Sequence, residues 1–545
     1  MSLPKIKVNF WLIIILVLMV YLPIFTNGFV WDDEEQIVAN ETIQNINNIP
    51  KLFLSSTFNS GGAVSMGGLY YKPLMPLSFT LLYSLFENIS WGYHFFQLVL
   101  HIATCFVLYK LLKNLLKNEL PSSPVKTQNA ITNNTMALAI TAIFAIHPGN
   151  VESIAYMSSL QEILYSFFGL SSFLLLIKSL RNHIINYKQI SLSLVLLFLA
   201  LLGKESGIVY FPIIFFYLLL FNKKVLPIWS LGSFLVITFY LVLRLGIADV
   251  GFSSKTLSPI SQQPFSIRLT TLPFEFMSYL RITYFPKDLF IAQHQVVDSI
   301  KDPRFLAGML ITGLFFATTF GIICKIKSKL LLFFFLWFSV SIGIALNIFP
   351  LDMTIAERWL YTPIIGLISF TLLFLSKIIP CKTKEILIIF ILVVGILGTR
   401  SFLRVKNWKD GLTLYNHDVS YNPNSFDLQN NLGTELFRAG KHEEAFEHFQ
   451  KSLDLSPNWH TPLNNIGVYY ESKQDFQKAK EYYLKAIENG NYYLAYENYA
   501  KLSYHNIKTE KDKKELQQFL NKSLLIFPYN QTLRAILYNL ENDKN

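Results

Sequence analysis

The chain has 545 residues, 52% of them hydrophobic and 15% charged, with a mean hydropathy of +0.36. Soluble globular domains carry about 25% charged residues, so an ordinary soluble protein is excluded. The net charge of +11 sits largely in short loops between apolar runs, which is the positive-inside pattern and not a nucleic-acid footprint.

Charge is uneven along the chain. Residues 400–545 hold 37 of the 83 charged side chains, which predicts a polytopic membrane domain over 1–399, a linker over 400–424 and a water-exposed domain over 425–545. The first apolar run, Val8 to Phe25, follows Lys5 and Lys7, lacks a small-x-small cleavage site and is long for a signal peptide. It reads as a retained helix with a cytoplasmic N-terminus. Further runs begin near Phe95, Ala137, Ile163, Ser191, Gly207, Leu226, Phe305, Leu330, Leu360 and Ile386. About eleven membrane spans are therefore expected.

Loop charges fit that count. The groups Lys110/Lys113/Lys117, Lys178/Arg181/Lys188, Lys223/Lys224, Lys325/Lys327/Lys329 and Lys377/Lys382/Lys384 fall on the face of Lys5 and Lys7. The opposite face then carries Asp32 to Glu35, His147 to Glu162, Lys204-Glu205, the stretch Asp249 to Arg304, and Asp352 to Arg358. An odd span number places the C-terminal domain outside, in a bacterial periplasm or an endoplasmic-reticulum lumen. Arg400, Arg404, Lys406 and Lys409, read as following the last helix, oppose this. Residues 268–286 are apolar but contain Glu275 and Arg281, and read as interfacial; if they spanned, the C-terminus would change sides. Cys105, Cys324 and Cys381 are odd in number and widely spaced, giving neither a disulfide framework nor a zinc motif.

The C-terminal region repeats. Residues 426–457 align with a copy offset by 34, Gly433 meeting Gly467, Leu436 Tyr470, Ala445 Ala479 and Phe449 Tyr483. Small and aromatic residues at these positions are where two helices of a tetratricopeptide repeat interlock. Repeats are placed near 426–459, 460–493 and 494–530, the third degraded around residues 508–515. Such an all-α solenoid binds peptide or protein and performs no chemistry itself.

Chemistry is sought among the outer loops. Asp32-Asp33, in GFVWDDEEQIVAN, follows the first helix directly; beside a dry cleft such a carboxylate can be shifted upward enough to act as a base. Its bland alternative is a solvated acidic loop. YYKPLMPLSF (70–79), HPGNVESIAY (147–156), GKES (203–206) and AERWLYTP (356–363) share that face. Arg358 and Lys204 are suited to a phosphate, with Glu205 and Glu357 placed to orient those cations. Singly, each pair is more simply a local ion pair; together they describe an anion pocket beside a base. His147 and His294 also lie on this face, where a lone histidine is more often an interfacial hydrogen-bonding group.

With WDDEEQIVAN, YYKPLMPLSF, GYHFFQLVLH, HPGNVES, GKES, AERWLYTP and VKNWKDGLTLY in order before the repeats, the chain resembles the transmembrane and tetratricopeptide-repeat O-mannosyltransferases and their bacterial relatives, of the GT-C glycosyltransferase class. The resemblance implies a GT-C-like helix bundle that moves a sugar from a polyprenyl or dolichyl monophosphate to an acceptor hydroxyl, outside the cytoplasm and with inversion. It implies Asp32 as general base, Asp33 as the acid that orients acceptor or base, Glu152, Lys204 and Glu205 as pocket residues, and Arg358, in ERWLY where the family usually has ERYLY, as ligand of the carrier phosphate. Glu357, His147 and Glu162 complete the pocket candidates. No cofactor beyond the lipid-linked donor is implied, and with Arg358 and Lys204 at the phosphate a metal-independent reaction is expected. The chain departs from the family at Ser158 to Glu162, where a Gly-Arg-Lys-Asp-like run is usual, which puts donor identity or activity in question. Two other classes stay open: a non-catalytic scaffold that assembles envelope proteins on the repeats, which would tolerate Asp32→Asn, and a glycan polymerase or ligase, for which the di-acid has no evident use.

Overall fold

The computed structural model describes residues 9–57, 70–120, 132–180, 185–251, 258–378, 383–528 and 530–542. Lys5, Lys7, Val8, Arg181, Cys381 and Lys382 lie outside them. The described chain is helical, with one isolated bridge between Gln293 and Ile355. Its first part comprises α1 (Trp11–Tyr21), α2 (Ile49–Leu54), α3 (Leu74–Phe86), α4 (Ser90–Leu115), α5 (Asn133–Ala145), α6 (Val151–Ala155), α7 (Leu160–Ser179) and α8 (Tyr187–Gly203). It continues through α9 (Tyr210–Phe221), α10 (Leu226–Leu241), α11 (Phe265–Tyr284), α12 (Pro303–Ile326), α13 (Lys329–Gly343), α14 (Pro363–Ile378) and α15 (Thr383–Asn407).

Among the described residues five helices are long and apolar enough to cross a membrane: Ser90–Leu115, Met157–Ser179, Leu226–Ile247, Pro303–Ile326 and Glu385–Asn407. The pair Asn133–Ala145 and Pro148–Ala155, bent by 56°, makes a sixth if it is one span. By length and composition five to six spans thus qualify on their own, fewer than the eleven apolar runs, because polar breaks leave the remaining helices shorter. Lys204-Glu205 separates α8 from α9, and a 12-residue helix such as α9 rises about 18 Å against a hydrocarbon core of about 30 Å. α12 and α15 are mostly exposed through side chains such as Leu310 and Ile396, as suits a lipid-facing surface.

Loop contacts separate two ends of the bundle. At one, Glu119 accepts from Ser328 Oγ (3.0 Å) and Lys377 Nζ (2.7 Å). At the other, Tyr71 N donates to Glu205 (2.8 Å), Ser158 to Asp33, and Arg358 to Glu152. Two helices keep both ends at this second end. α3 begins beside Tyr71 and returns to Ser90, whose hydroxyl donates to the Asn27 carbonyl (2.8 Å). α11 starts with Arg268 on the Ile348 carbonyl (3.1 Å) and finishes with the Thr283 carbonyl accepting from His147 (2.9 Å). Its buried Glu275 accepts from Asn347, so the stretch read as interfacial lies across these loops.

α15 runs through residue 399 to Asn407, so Arg400 and Arg404 are helix residues and not a tail after it. α16 (Gly411–Tyr421) follows, and the stretch expected as a linker buries Arg404, Trp408 and Leu414 completely. The repeats are α17 (Phe426–Arg438) with α18 (His442–Leu455), α19 (His460–Ser472) with α20 (Phe476–Asn489), and α21 (Tyr493–His505) with α22 (Glu510–Ile526), closed by α23 (Gln531–Asn542). The aligned residues interlock as their spacing predicts: a Cβ on Gly433 would lie 2.7 Å from the Phe449 ring, and one on Gly467 2.5 Å from that of Tyr483.

Gly440 turns α17 into α18 at φ +79°, with open space around it. Its counterpart Gln474 holds φ +62° without glycine's freedom. A side chain at Gly440 meets no atom, so Gly440→Ala is expected to cost about 1 kcal/mol from backbone strain alone. Thermal unfolding should show that loss, with Gln474→Gly shifting stability the other way.

Candidate active site

The di-acid is placed by a strained turn. Trp31 adopts φ +58°, a left-handed conformation uncommon outside glycine, and its indole stacks on Tyr156 (5.1 Å, 19°). Tyr156 stacks in turn on Trp408 (5.5 Å). From this aromatic column the Tyr156 hydroxyl donates to Asp32 Oδ2 (2.6 Å). Asp33 is completely buried. It accepts from Ser158 N (2.8 Å) and Oγ (2.6 Å) and from Val30 N (3.2 Å), pinning the first loop to the turn that follows HPGNVESIAY. Ser158, within the departure from the family pattern, is what holds it.

Both acids are shifted. Burial raises Asp33 to about 7 against the lowering by its Ser158 and Val30 bonds. Burial also pushes Asp32 above its ordinary value, opposed by Tyr156 and by the charges of Arg358 and Lys72.

Cations stand nearby. Arg358 Nη1 donates to Glu152 Oε1 (2.5 Å), its backbone N donates to Glu152 Oε2 (3.0 Å), and Nη2 lies 3.8 Å from Asp352. The guanidinium covers the Trp31 ring at 5.5 Å, so it adjoins the same aromatic column from which Tyr156 bonds Asp32. Lys204 pairs with Glu162, and Glu205 accepts from Arg244 (3.0 Å) and from Tyr71 N. Lys72 is buried among the charges of Glu205, Lys204, Asp352 and Glu162, and burial pulls its ammonium down to about 8.

The expected residues meet, but with other partners. Lys204 is oriented by Glu162 and not by Glu205; Arg358 is oriented by Glu152 and not by Glu357. Glu357 faces away, toward the fully buried Arg404 (3.6 Å), which binds Asp418 (2.8 Å). His147 is not part of the cluster: Nε2 donates to the Thr283 carbonyl and Nδ1 accepts from Gly149 N. His294 pairs with Asp427 of the first repeat (2.7 Å). Sequence reasoning missed Lys72, Tyr156, Asp352, Arg244 and Arg404. Lys72 and Tyr156 lie inside quoted motifs, while Arg244 is hidden at the end of an apolar run. Among the described residues no group of three or more His, Cys, Asp or Glu is placed to hold a metal ion.

Fold and site define a polytopic helical membrane protein whose loop cluster of buried acids and cations adjoins a repeat solenoid. The tetratricopeptide repeat family profile matches residues 424–491. The chain is a distant homologue of protein O-mannosyl-transferases: one of Caenorhabditis elegans is 25% identical over 459 residues, 82% of this chain and 62% of that protein. TMTC3 of Homo sapiens is 24% identical over 77% of this chain and 48% of its own length. Tmtc3 of Drosophila melanogaster is 24% identical, with 78% and 53% covered. The chain thus spans about half to three fifths of the length of these relatives. A solved structure, the APC/C hetero-tetramer Cut9-Hcn1, aligns at 12% identity over 86% of this chain and 89% of that chain, with a TM-score of 0.23.

Proposed function

We propose that this protein is an inverting, GT-C-type membrane glycosyltransferase that moves a sugar from a polyprenyl or dolichyl monophosphate to a hydroxyl acceptor, a protein Ser or Thr, on the extracytoplasmic face. The observation that carries the reading is the shared column: Asp32 held by Tyr156, with Arg358 over the adjoining Trp31. The homology to O-mannosyl-transferases supports it. In this reading the shorter apolar helices also sit in the bilayer, giving eleven crossings (α1, α4, α5, α7 to α10 and α12 to α15), with α3 and α11 on the outer surface. The repeats then lie outside the cytoplasm, in a bacterial periplasm or an endoplasmic-reticulum lumen, where they present the acceptor.

In the reaction, Asp32 takes the proton of the acceptor hydroxyl as its oxygen attacks the anomeric carbon. The bond from that carbon to the phosphate oxygen breaks, and the carrier phosphate leaves with one more negative charge. A single displacement inverts the anomeric centre. Arg358, Lys72 and Lys204 neutralise the leaving phosphate, while Glu152 and Glu162 aim two of these cations. Asp33 fixes the loop.

The test is transfer in proteoliposomes from a panel of radiolabelled polyprenyl-phosphate sugars to envelope extract. Arg358→Ala and Lys72→Ala are expected to raise the donor KM and lower kcat/KM roughly ten- to a hundredfold, the loss of one charge-assisted contact of about 1.5–3 kcal/mol. No transfer by wild type from any donor, together with an unchanged envelope glycan profile in Asp32→Asn cells, refutes the reading in favour of a scaffold.

A further inference from the structure

The first outer loop touches the repeat solenoid at two separated points. Glu34, two residues after Asp32, accepts from Arg438 Nη1 (2.7 Å) and Nη2 (2.6 Å), one guanidinium nitrogen to each carboxylate oxygen. Arg438 ends α17, and its Nη1 also bonds Glu435 of the same helix (2.9 Å). Seven residues further along the loop, Glu41 accepts from Gln531 (2.9 Å), the first residue of α23. The loop therefore reaches from the first repeat to the terminal helix.

Other restraints on the loop lie elsewhere. Gly28 N donates to the Lys409 carbonyl (2.8 Å) and Asp33 is held by Ser158. Between them Trp31 keeps its left-handed backbone, a conformation that persists only when its surroundings enforce it. A forked Arg–carboxylate contact fixes orientation as well as distance, and here it acts on the residue that follows the di-acid.

We propose that Arg438 is a positioning residue: through Glu34 it makes the repeat solenoid set the di-acid loop, and so the attitude of Asp32 toward the acceptor hydroxyl. This rests on the glycosyltransferase reading for its catalytic consequence, but not for the contact itself. The pair is half exposed, so its contribution to global stability is small. Its effect falls on geometry, where a shift of about 1 Å costs up to about a hundredfold in rate.

The experiment is a double-mutant cycle on the full-length protein with Arg438→Ala, Glu34→Gln and the pair, read by transfer kinetics and by hydrogen–deuterium exchange of residues 28–41. The proposal expects each single variant to lower kcat roughly tenfold or more, with donor KM and melting temperature unchanged, and the double variant to lose no more than either single one. Exchange of 28–41 should rise in both. Singles that keep kcat within twofold of an active wild type overturn it, as does an additive double variant. If wild type transfers no sugar, the glycosyltransferase reading falls by itself; exchange then decides the contact, faster exchange in Arg438→Ala sustaining it and equal exchange overturning it.

Discussion

Asp32→Asn is expected to lower kcat for sugar transfer roughly a hundred- to ten-thousandfold, the usual contribution of a positioned general base, with melting temperature and donor KM little changed. Asparagine keeps the shape and can still accept from Tyr156, but it cannot take a proton. The pH dependence gives a second reading. A base must be ionised, and burial raises Asp32 above the ordinary carboxylate value, so activity falls as pH drops through that raised value. Lys72, at about 8, loses its charge as pH rises through that point, which gives an alkaline limb in kcat/KM for donor. Lys72→Arg should move the alkaline limb upward, since a guanidinium stays charged, and leave the acid limb in place. An acid limb unchanged in the residual activity of Asp32→Asn would assign it to another group.

The apolar runs and the solenoid were legible because each has a local cause. Hydrophobic length marks a helix, and the 34-residue offset aligned Gly433 with Gly467 and Phe449 with Tyr483 as interlocking positions; each glycine packs against the ring of its own repeat. Pairing was not legible. Glu205 and Arg244 are 39 residues apart and Arg358 and Glu152 are 206 apart, and nothing local distinguishes such partners from Lys204–Glu205 or Glu357–Arg358 neighbours. α3 was also hidden: its Pro and polar flanks read as a motif, while the helix lies with both ends among the loops of the site. Asp33 was visible as an acid but not as an anchor, since its three donors come from Val30 and from a serine 125 residues away.

Arg404 carries the other large effect. Its guanidinium is fully buried between Asp418 and Glu357, and it covers Trp408 at 5.6 Å. Burial, with Glu152 and Asp418 adding to it against the pull of Arg404, raises Glu357 to about 8. Asp418 stays below its ordinary value despite burial, through Arg404, His417 and the Ile291 N–H. At neutral pH the charge that Arg404 chiefly balances is therefore that of Asp418. Removing one partner of such a buried pair leaves the other uncompensated and typically costs about 3–5 kcal/mol, so Arg404→Met is expected to lower melting temperature and yield sharply. Glu357→Gln keeps a neutral, similarly shaped side chain and is expected to cost about 1 kcal/mol or less. Glu357's raised value also implies that its protonated form favours the fold, a contribution fully present below the ordinary carboxylate value and lost progressively as pH rises from there to about 8; Glu357→Gln should flatten the stability profile over that span. Where Arg404→Met survives, Trp408 loses the cation over its ring and the Tyr156 stacked on it is less firmly held, so transfer should fall along with stability. Thermal unfolding of both variants across pH 6–9 separates the roles, and equal stability of Arg404→Met and wild type would show that Asp418 has another counter-charge.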